Sequence, residues 1–350
     1  MKTNLFIAAL SLVVLAGCSS EDEVGTLVAK SDNAITFGTY VGKQTKASIM
    51  DDTQLQSTGF NVIATYTSEK DWATAGATTA PNFMYDQAVT YADSKWSYTP
   101  IQYWPNEQNE TGDLGKVTFF AYSPKTTGIT TISEKSAKGA PTIKLTVSDD
   151  IDKQIDLVAD MVTDLTKTNT TIDGVTVDAG TVKFKMDHLL SQIKFQAKLK
   201  AQYAGATKIT VTGFKLSFTA DKIKNEGTYT FSTDNTKSSI WSLGTTTHKT
   251  AIEKTDLNAE LNNTATPTAT DLLDPMFLIP QTYTTGDITA VISYTVTTAA
   301  GEVNNVKKID LPVVTGGWIP SKKYLYTFEI ELQDVTVGVE SADWGDGNVK

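Results

Sequence analysis

Ile288-Thr289-Ala290-Val291-Ile292-Ser293-Tyr294-Thr295-Val296 puts Ile288, Ala290, Ile292, Tyr294 and Val296 on one face of an extended chain and Thr289, Val291, Ser293 and Thr295 on the other. Side chains alternate along a strand with a period of two, so this stretch reads as a half-buried β-strand. The same period recurs on both sides of it. Toward the C-terminus it appears in Tyr324-Leu325-Tyr326-Thr327-Phe328-Glu329-Ile330. Toward the N-terminus it appears in Ile193–Leu199, Thr142–Val147, Val117–Tyr122, Phe60–Tyr66 and Ala34–Val41. Thr, Val, Ile and Tyr suit such pleated surfaces, and Gly, Asn and Asp separate the runs as turns. The pattern predicts an all-β fold of sandwich type. Helix is expected only as single turns at Asp187–Gln192 and Thr270–Leu273.

The N-terminus has a different logic. Met1-Lys2-Thr3-Asn4 precedes an apolar run from Leu5 to Ala16, and Leu15-Ala16-Gly17-Cys18 ends it. A spanning helix needs about 20 apolar residues and this core has roughly a dozen, so it reads as a secretory signal. Leu-Ala-Gly-Cys resembles a bacterial lipobox, which implies cleavage before Cys18 and a diacylglycerol on its thiol. Cys18 is the single cysteine of the 350 residues, so the sulfur is expected to anchor the chain to a membrane. Ser20-Glu21-Asp22-Glu23 resembles the export tag that sends some anaerobes' lipoproteins to the outer face. The organisation that follows is a signal peptide over 1–17, an acidic tether over 18–33, a first β-sandwich domain over 34–180 and a second over 181–350. Thr163–Gly180 reads as a connector or exposed hairpin, and Thr245–Thr270 as a long surface loop.

Composition narrows the function. The formal net charge is −10, which would repel phosphates and argues against a nucleic-acid partner. All 30 basic residues are lysines, so bidentate guanidinium recognition is absent and no arginine-specific protease can cut the chain. There are two histidines. His188, beside Leu189 and Leu190, is expected to be structural, and His248, in a Thr- and Lys-rich stretch, to be solvated. No nucleophile elbow, phosphate loop or His-Glu-x-x-His is present, so the chain is expected to be no enzyme and to hold no metal or cofactor. Asp343-Trp344-Gly345-Asp346-Gly347-Asn348 lacks the ligand pattern of a calcium loop and reads as turn chemistry. The six tryptophans are expected in cores, least so Trp72, which lies in a polar stretch.

Several strings occur in a suggestive order: Ile35-Thr36-Phe37, Thr45-Lys46-Ala47, Gly59-Phe60-Asn61-Val62, Phe83-Met84-Tyr85 and Tyr103-Trp104-Pro105. They are followed by Val117–Pro124, Asp156-Leu157-Val158-Ala159, Asp187–Phe195, Leu278-Ile279-Pro280-Gln281, and Trp318 with Lys323–Tyr326. In this order, after a lipobox, they resemble the fimbrillin family, the Mfa-like type V pilins of oral and gut anaerobes. The resemblance implies two transthyretin-like β-sandwich domains in tandem and export as an outer-membrane lipoprotein. It also implies cleavage after a basic residue in the loop behind the first strand. Lipid and strand then leave together, and a strand of another subunit fills the groove. Carried onto this chain, the released strand would present Ile35, Phe37, Thr39 and Val41. The processing site would be Lys46-Ala47, with Lys43 nearby. Family members commonly have arginine where Lys46 stands, so processing here would need a lysine-tolerant protease. Val335, Val337 and Val339 make the last segment a candidate donor strand, or else the closing strand of its own sandwich. Implied partners are other pilin subunits, in a homo- or hetero-polymer, the outer membrane through the lipid, and a host glycan or protein. The rival reading is a monomeric outer-membrane lipoprotein that binds a glycan or host ligand.

Overall fold

The computed structural model describes residues 33–41, 49–105, 112, 114–172, 175–205, 207–249 and 251–344. In the first half, β1 (Thr36–Val41), β2 (Phe60–Tyr66), β3 (Met84–Ala92), β4 (Lys95–Ser97), β5 (Val117–Ser123) and β6 (Thr130–Ile132) come first. Then come β7 (Thr142–Thr146), β8 (Val158–Leu165), β9 (Thr171–Ile172), β10 (Val175–Thr176) and β11 (Thr181–His188). The second half holds β12 (Ser191–Leu199), β13 (Lys208–Phe218), β14 (Glu226–Thr230), β15 (Trp241–Leu243), β16 (Ala251–Lys254) and β17 (Ala259–Glu260). It ends with β18 (Thr270–Asp271), β19 (Met276–Leu278), β20 (Ile288–Thr298), β21 (Gly301–Asp310), β22 (Lys322–Ile330) and β23 (Val335–Asp343). The α-helices are α1 (Asp52–Thr58) and α2 (Trp72–Ala75). The chain is all-β in class, as its alternation predicts.

Seven strands form one sheet in the order β1-β11-β8-β5-β2-β3-β4. Its central strand β5 is buried at every residue, and Val117-Thr118-Phe119-Phe120-Ala121-Tyr122 is accordingly almost continuously apolar. Period two splits these side chains between two cores. Val117, Phe119 and Ala121 join Val62 and Ala64 of β2 on one face. Phe120 and Tyr122 join Ile63 on the other. On the first face the sheet curls until its edges β1 and β4 come together around Phe37. The second face is covered by a four-stranded sheet, β15-β14-β7-β6. There β7 pairs with β14 from Thr142↔Thr230 to Thr146↔Glu226, so strands from both halves of the sequence build one layer.

The remaining strands make two facing sheets, β18-β12-β22-β23 and β16-β13-β20-β21, with β19 and β17 attached to β12 and β13. Phe195, Phe214, Tyr326 and Phe328 interlock between them at centroid distances of 5.1 to 5.7 Å. Such tilted and edge-on contacts suit the ring quadrupole.

Local details depart from the sequence-based expectations. Asp187 and His188 end β11, Leu189 and Leu190 are fully buried, and Ser191 opens β12, so no helical turn forms there. The two leucines fill the core between the layers instead. Thr270–Asp271 is likewise a strand, paired with Gln196–Ala197. Helix forms at α1, where the Asp51 carboxylate accepts the Gln54 N–H at 2.8 Å. Gly59 ends it at φ 77°, where a Cβ would lie 2.6 Å from the Val89 carbonyl oxygen. Thr163–Gly180 contains the end of β8 and the β9-β10 hairpin. Thr245–Thr270 holds β16 and β17, both paired with β13.

Candidate strand-exchange site

β1 has an unusual combination of properties. It is an edge strand, and its ladder is parallel and to β11 alone, from Thr36↔Thr181 to Val41↔Met186. Yet its inward side chains are core. Ile35, Phe37 and Val41 are 1%, 7% and 0% exposed. Thr39 is half-buried and Tyr40 faces outward. The Phe37 ring packs against Tyr98 at 5.1 Å, Phe184 at 5.9 Å, Phe60 at 6.0 Å and Phe119 at 6.3 Å. Lifting β1 away would therefore leave an open ladder on β11 and an unfilled row of apolar pockets, the two ingredients of strand addition.

Both ends of β1 are tied down. At its start Ile35 N–H donates to the Gln102 carbonyl at 3.0 Å and Thr36 N–H to the Gly180 carbonyl at 3.2 Å. The Tyr98 hydroxyl donates to the Ile35 carbonyl at 3.0 Å. Burial raises the Tyr98 phenol above its ordinary value, so it remains a donor. At its end Val41 N–H donates to Asp52 Oδ1 at 2.6 Å, a bond to the first turn of α1. Where the described chain resumes, Ile49 and Met50 are buried, and Met50 N–H donates to Asp156 Oδ2 at 2.9 Å. That same oxygen lies 2.9 Å from His188 Nδ1. His188 stacks on Trp344 at 4.3 Å and 15°, and Trp344 on Phe277 at 5.8 Å and 14°. A chain of contacts thus runs from the segment behind β1 to the end of β23.

The structure brings Ile35, Phe37 and Val41 together in one core. Cys18, Lys43, Lys46 and Ala47 lie outside the described residues. The segment carrying Val335, Val337 and Val339 is β23, an edge strand of its own sheet, paired with β22 from Ile330↔Val335 to Lys322↔Asp343. Val335 is buried, and Val337 and Val339 are partly so. Sequence reasoning missed the supporting residues Asp52, Tyr98 and Gln102. Asp51 four residues before Leu55 was an available helix-start signal; the other two contacts are long-range and carry no local signature.

Trp104, Trp241, Trp318 and Trp344 are buried, and Trp72 and Trp96 are half-buried, each against an aromatic neighbour. Trp344 is a core residue, as expected of the tryptophans. His188 is buried and structural. His248 is not solvated: it is buried, stacked on Phe218 at 5.3 Å, with Nδ1 2.8 Å from Asp149 Oδ1. The Thr- and Lys-rich surroundings concealed this, because burial comes from Phe218, distant in sequence. No group of three or more His, Cys, Asp or Glu able to hold a metal occurs among the described residues.

His248 gives a pH prediction. Burial lowers its pKa below 6.5, against the opposing pull of Asp149. The unfolded chain takes a proton below 6.5 that the folded chain resists. Stability present above that pH is therefore lost as pH falls through it toward the folded value. Urea midpoints at about pH 7.5 and about 5.5 should fall less for His248→Gln than for the wild type. Equal falls would show that His248 is not the group responsible.

The class these observations define is an all-β protein whose edge strand fills a core. Comparison with known proteins specifies the class. The chain belongs to the fimbrillin-like family, whose profile matches residues 45–344. It is 28% identical to fimbrium subunit Fim1C of Phocaeicola vulgatus, over 97% of this chain and 95% of that one. The crystal structure of a fimbrial protein from Bacteroides vulgatus superposes with a TM-score of 0.71 at 26% identity, covering 89% of this chain and 99% of that one. Membership of this family supports a fimbrial role and implies assembly with other subunits, a place at the cell surface and a structural rather than catalytic part.

Proposed function

We propose that this chain is a fimbrial subunit exported as a lipoprotein on Cys18 and assembled by protease-triggered strand exchange. Cleavage after Lys43 or Lys46 would detach β1 together with the lipid. The vacated ladder of β11 and the pockets of Ile35, Phe37 and Val41 would then receive a strand of another subunit. The observation that carries the reading is that β1 is at once an edge strand, laddered to β11 alone, and a core element. A strand with one partner is the least costly to remove, and burial of its side chains makes its replacement favourable. Lys43 and Lys46, which follow β1 in the sequence, supply the trigger. The lipid places the precursor at the outer membrane until cleavage.

The mature N-terminus decides. Protein taken from the surface of its native host should start at Ala47 or Gln44 by mass spectrometry. A Lys43→Gln/Lys46→Gln double variant should remain lipidated at Cys18 and lose polymer. Polymer built from wild-type subunits that all keep Cys18 and β1 would overturn the mechanism.

A further inference from the structure

We infer that the groove beneath β1 selects a donor strand with an aromatic side chain at the place of Phe37, and that a second copy's β23 is not that donor. The partner is then an extended strand of another subunit, other than β23, that presents an aromatic side chain at that place. This rests on the strand-release reading above and adds the identity of the incoming strand.

Each β1 position constrains its replacement differently. Ile35 and Val41 are sealed in the core and require aliphatic side chains. Thr39 is half-buried and tolerates small polar ones. Phe37 is the demanding position, because four aromatic rings surround it within 6.3 Å. Rings at such separations are held by contact with the ring between them. A smaller occupant forfeits those contacts outright, since the remaining void is apolar. Outward positions impose little: a Cβ at Gly38 would meet only Lys183 Cγ, at an ordinary 3.8 Å. The required pattern is aliphatic, free, aromatic, free, small, free, aliphatic. Main-chain bonds to β11 supply affinity to any strand, and the aromatic pocket supplies the choice.

The sequence of β23 does not fit. Its inward residues are Val335, Val337 and Val339, and the next position in that row, Ser341, is small and exposed. Every register that preserves alternation therefore puts valine or a smaller residue where Phe37 sits. A second observation points the same way. β23 is committed in its own sheet by nine paired residues, and Trp344 at its end lies between His188 and Phe277. Donating it would uncover Val335 and Trp344 in the donor.

The test is competition on the full chain carrying a site-specific protease sequence inserted within 42–48. After cleavage, the labelled β1 fragment is challenged with three peptides: residues 34–41, the same peptide with Phe37→Val, and residues 334–341. Because β1 occupies the groove until displaced, the groove is never left empty to aggregate. The first peptide should displace the label. The Phe37→Val peptide should be weaker by about tenfold or more, and the 334–341 peptide no stronger than that. Displacement by 334–341 within about twofold of the native peptide, or equal displacement by Phe37→Val, would overturn the inference while leaving strand exchange intact. If even the native 34–41 peptide cannot replace β1, the strand-release reading fails and the inference with it.

Discussion

Phe37→Ala is expected to lower the unfolding free energy by ~3–5 kcal/mol, the usual cost of truncating a buried phenylalanine. The ring is 7% exposed and touches aromatics from β2, β5 and β11 and from Tyr98 beside β4. Its removal strips contacts from four rings at once, and these cannot all close on the gap because they sit on different strands of a curled sheet. The edge position of β1 adds a second route. The strand can let go rather than enclose a cavity, which caps the loss at the docking energy of β1 and exposes the apolar groove. Urea denaturation reads the first route, and binding of a hydrophobic dye to the native state reads the second. A midpoint change equivalent to less than ~1 kcal/mol with no added dye binding would mean that Phe37 is not a core residue. The same experiment bears on assembly: a variant that sheds β1 without cleavage should accept donor peptides that the uncut wild type refuses.

Trp344→Ala is expected to cost a similar ~3–5 kcal/mol, although only six residues follow it in the sequence. Trp344 is 2% exposed and is the last described residue, stacked between His188 and Phe277. Its backbone N–H donates to the Ser321 carbonyl at 2.9 Å, and the Ser321 hydroxyl donates to the His188 carbonyl at 2.6 Å. It therefore closes the end of β23 onto the turn before β22 and onto the end of β11. Without the indole, β23 keeps its ladder to β22 but loses its terminal fastening. Amide exchange over Thr336–Asp343 should accelerate relative to the amides of β12 and β20. Unchanged protection of β23 would show that its ladder alone holds it, and the case against donating it would weaken accordingly.

Much of this was legible before folding. Ile288–Val296 reads as a strand because period two is a property of consecutive residues, and β20 covers that stretch. The face of β1 was equally plain, since Ile35, Phe37 and Val41 alternate with Thr36, Gly38 and Tyr40. Val117–Tyr122 reads as one more period-two strand, whereas β5 is buried on both faces because a second layer covers its other side. Polar surroundings misled at His248, which sits among residues that suit solvent yet is buried by partners far away in sequence. Leu189 and Leu190 looked helical because adjacent leucines with nearby polar residues suit a turn of helix as well as a strand crossing.

The chain's alternation, its single cysteine behind an apolar run and its lysine-only basic set follow from residue order alone, because each is a local count or spacing. Which sheet a strand enters is not local. β14 pairs with β7 across some 80 residues, joining β15 and β6 into one layer, because β5 and β8 leave an apolar face that some layer must cover. The same necessity makes β1 both edge and core. Its alternation prepares one apolar face, but only the curling of the seven-stranded sheet surrounds that face with Phe60, Tyr98, Phe119 and Phe184, and burial depends on the elements that arrive opposite.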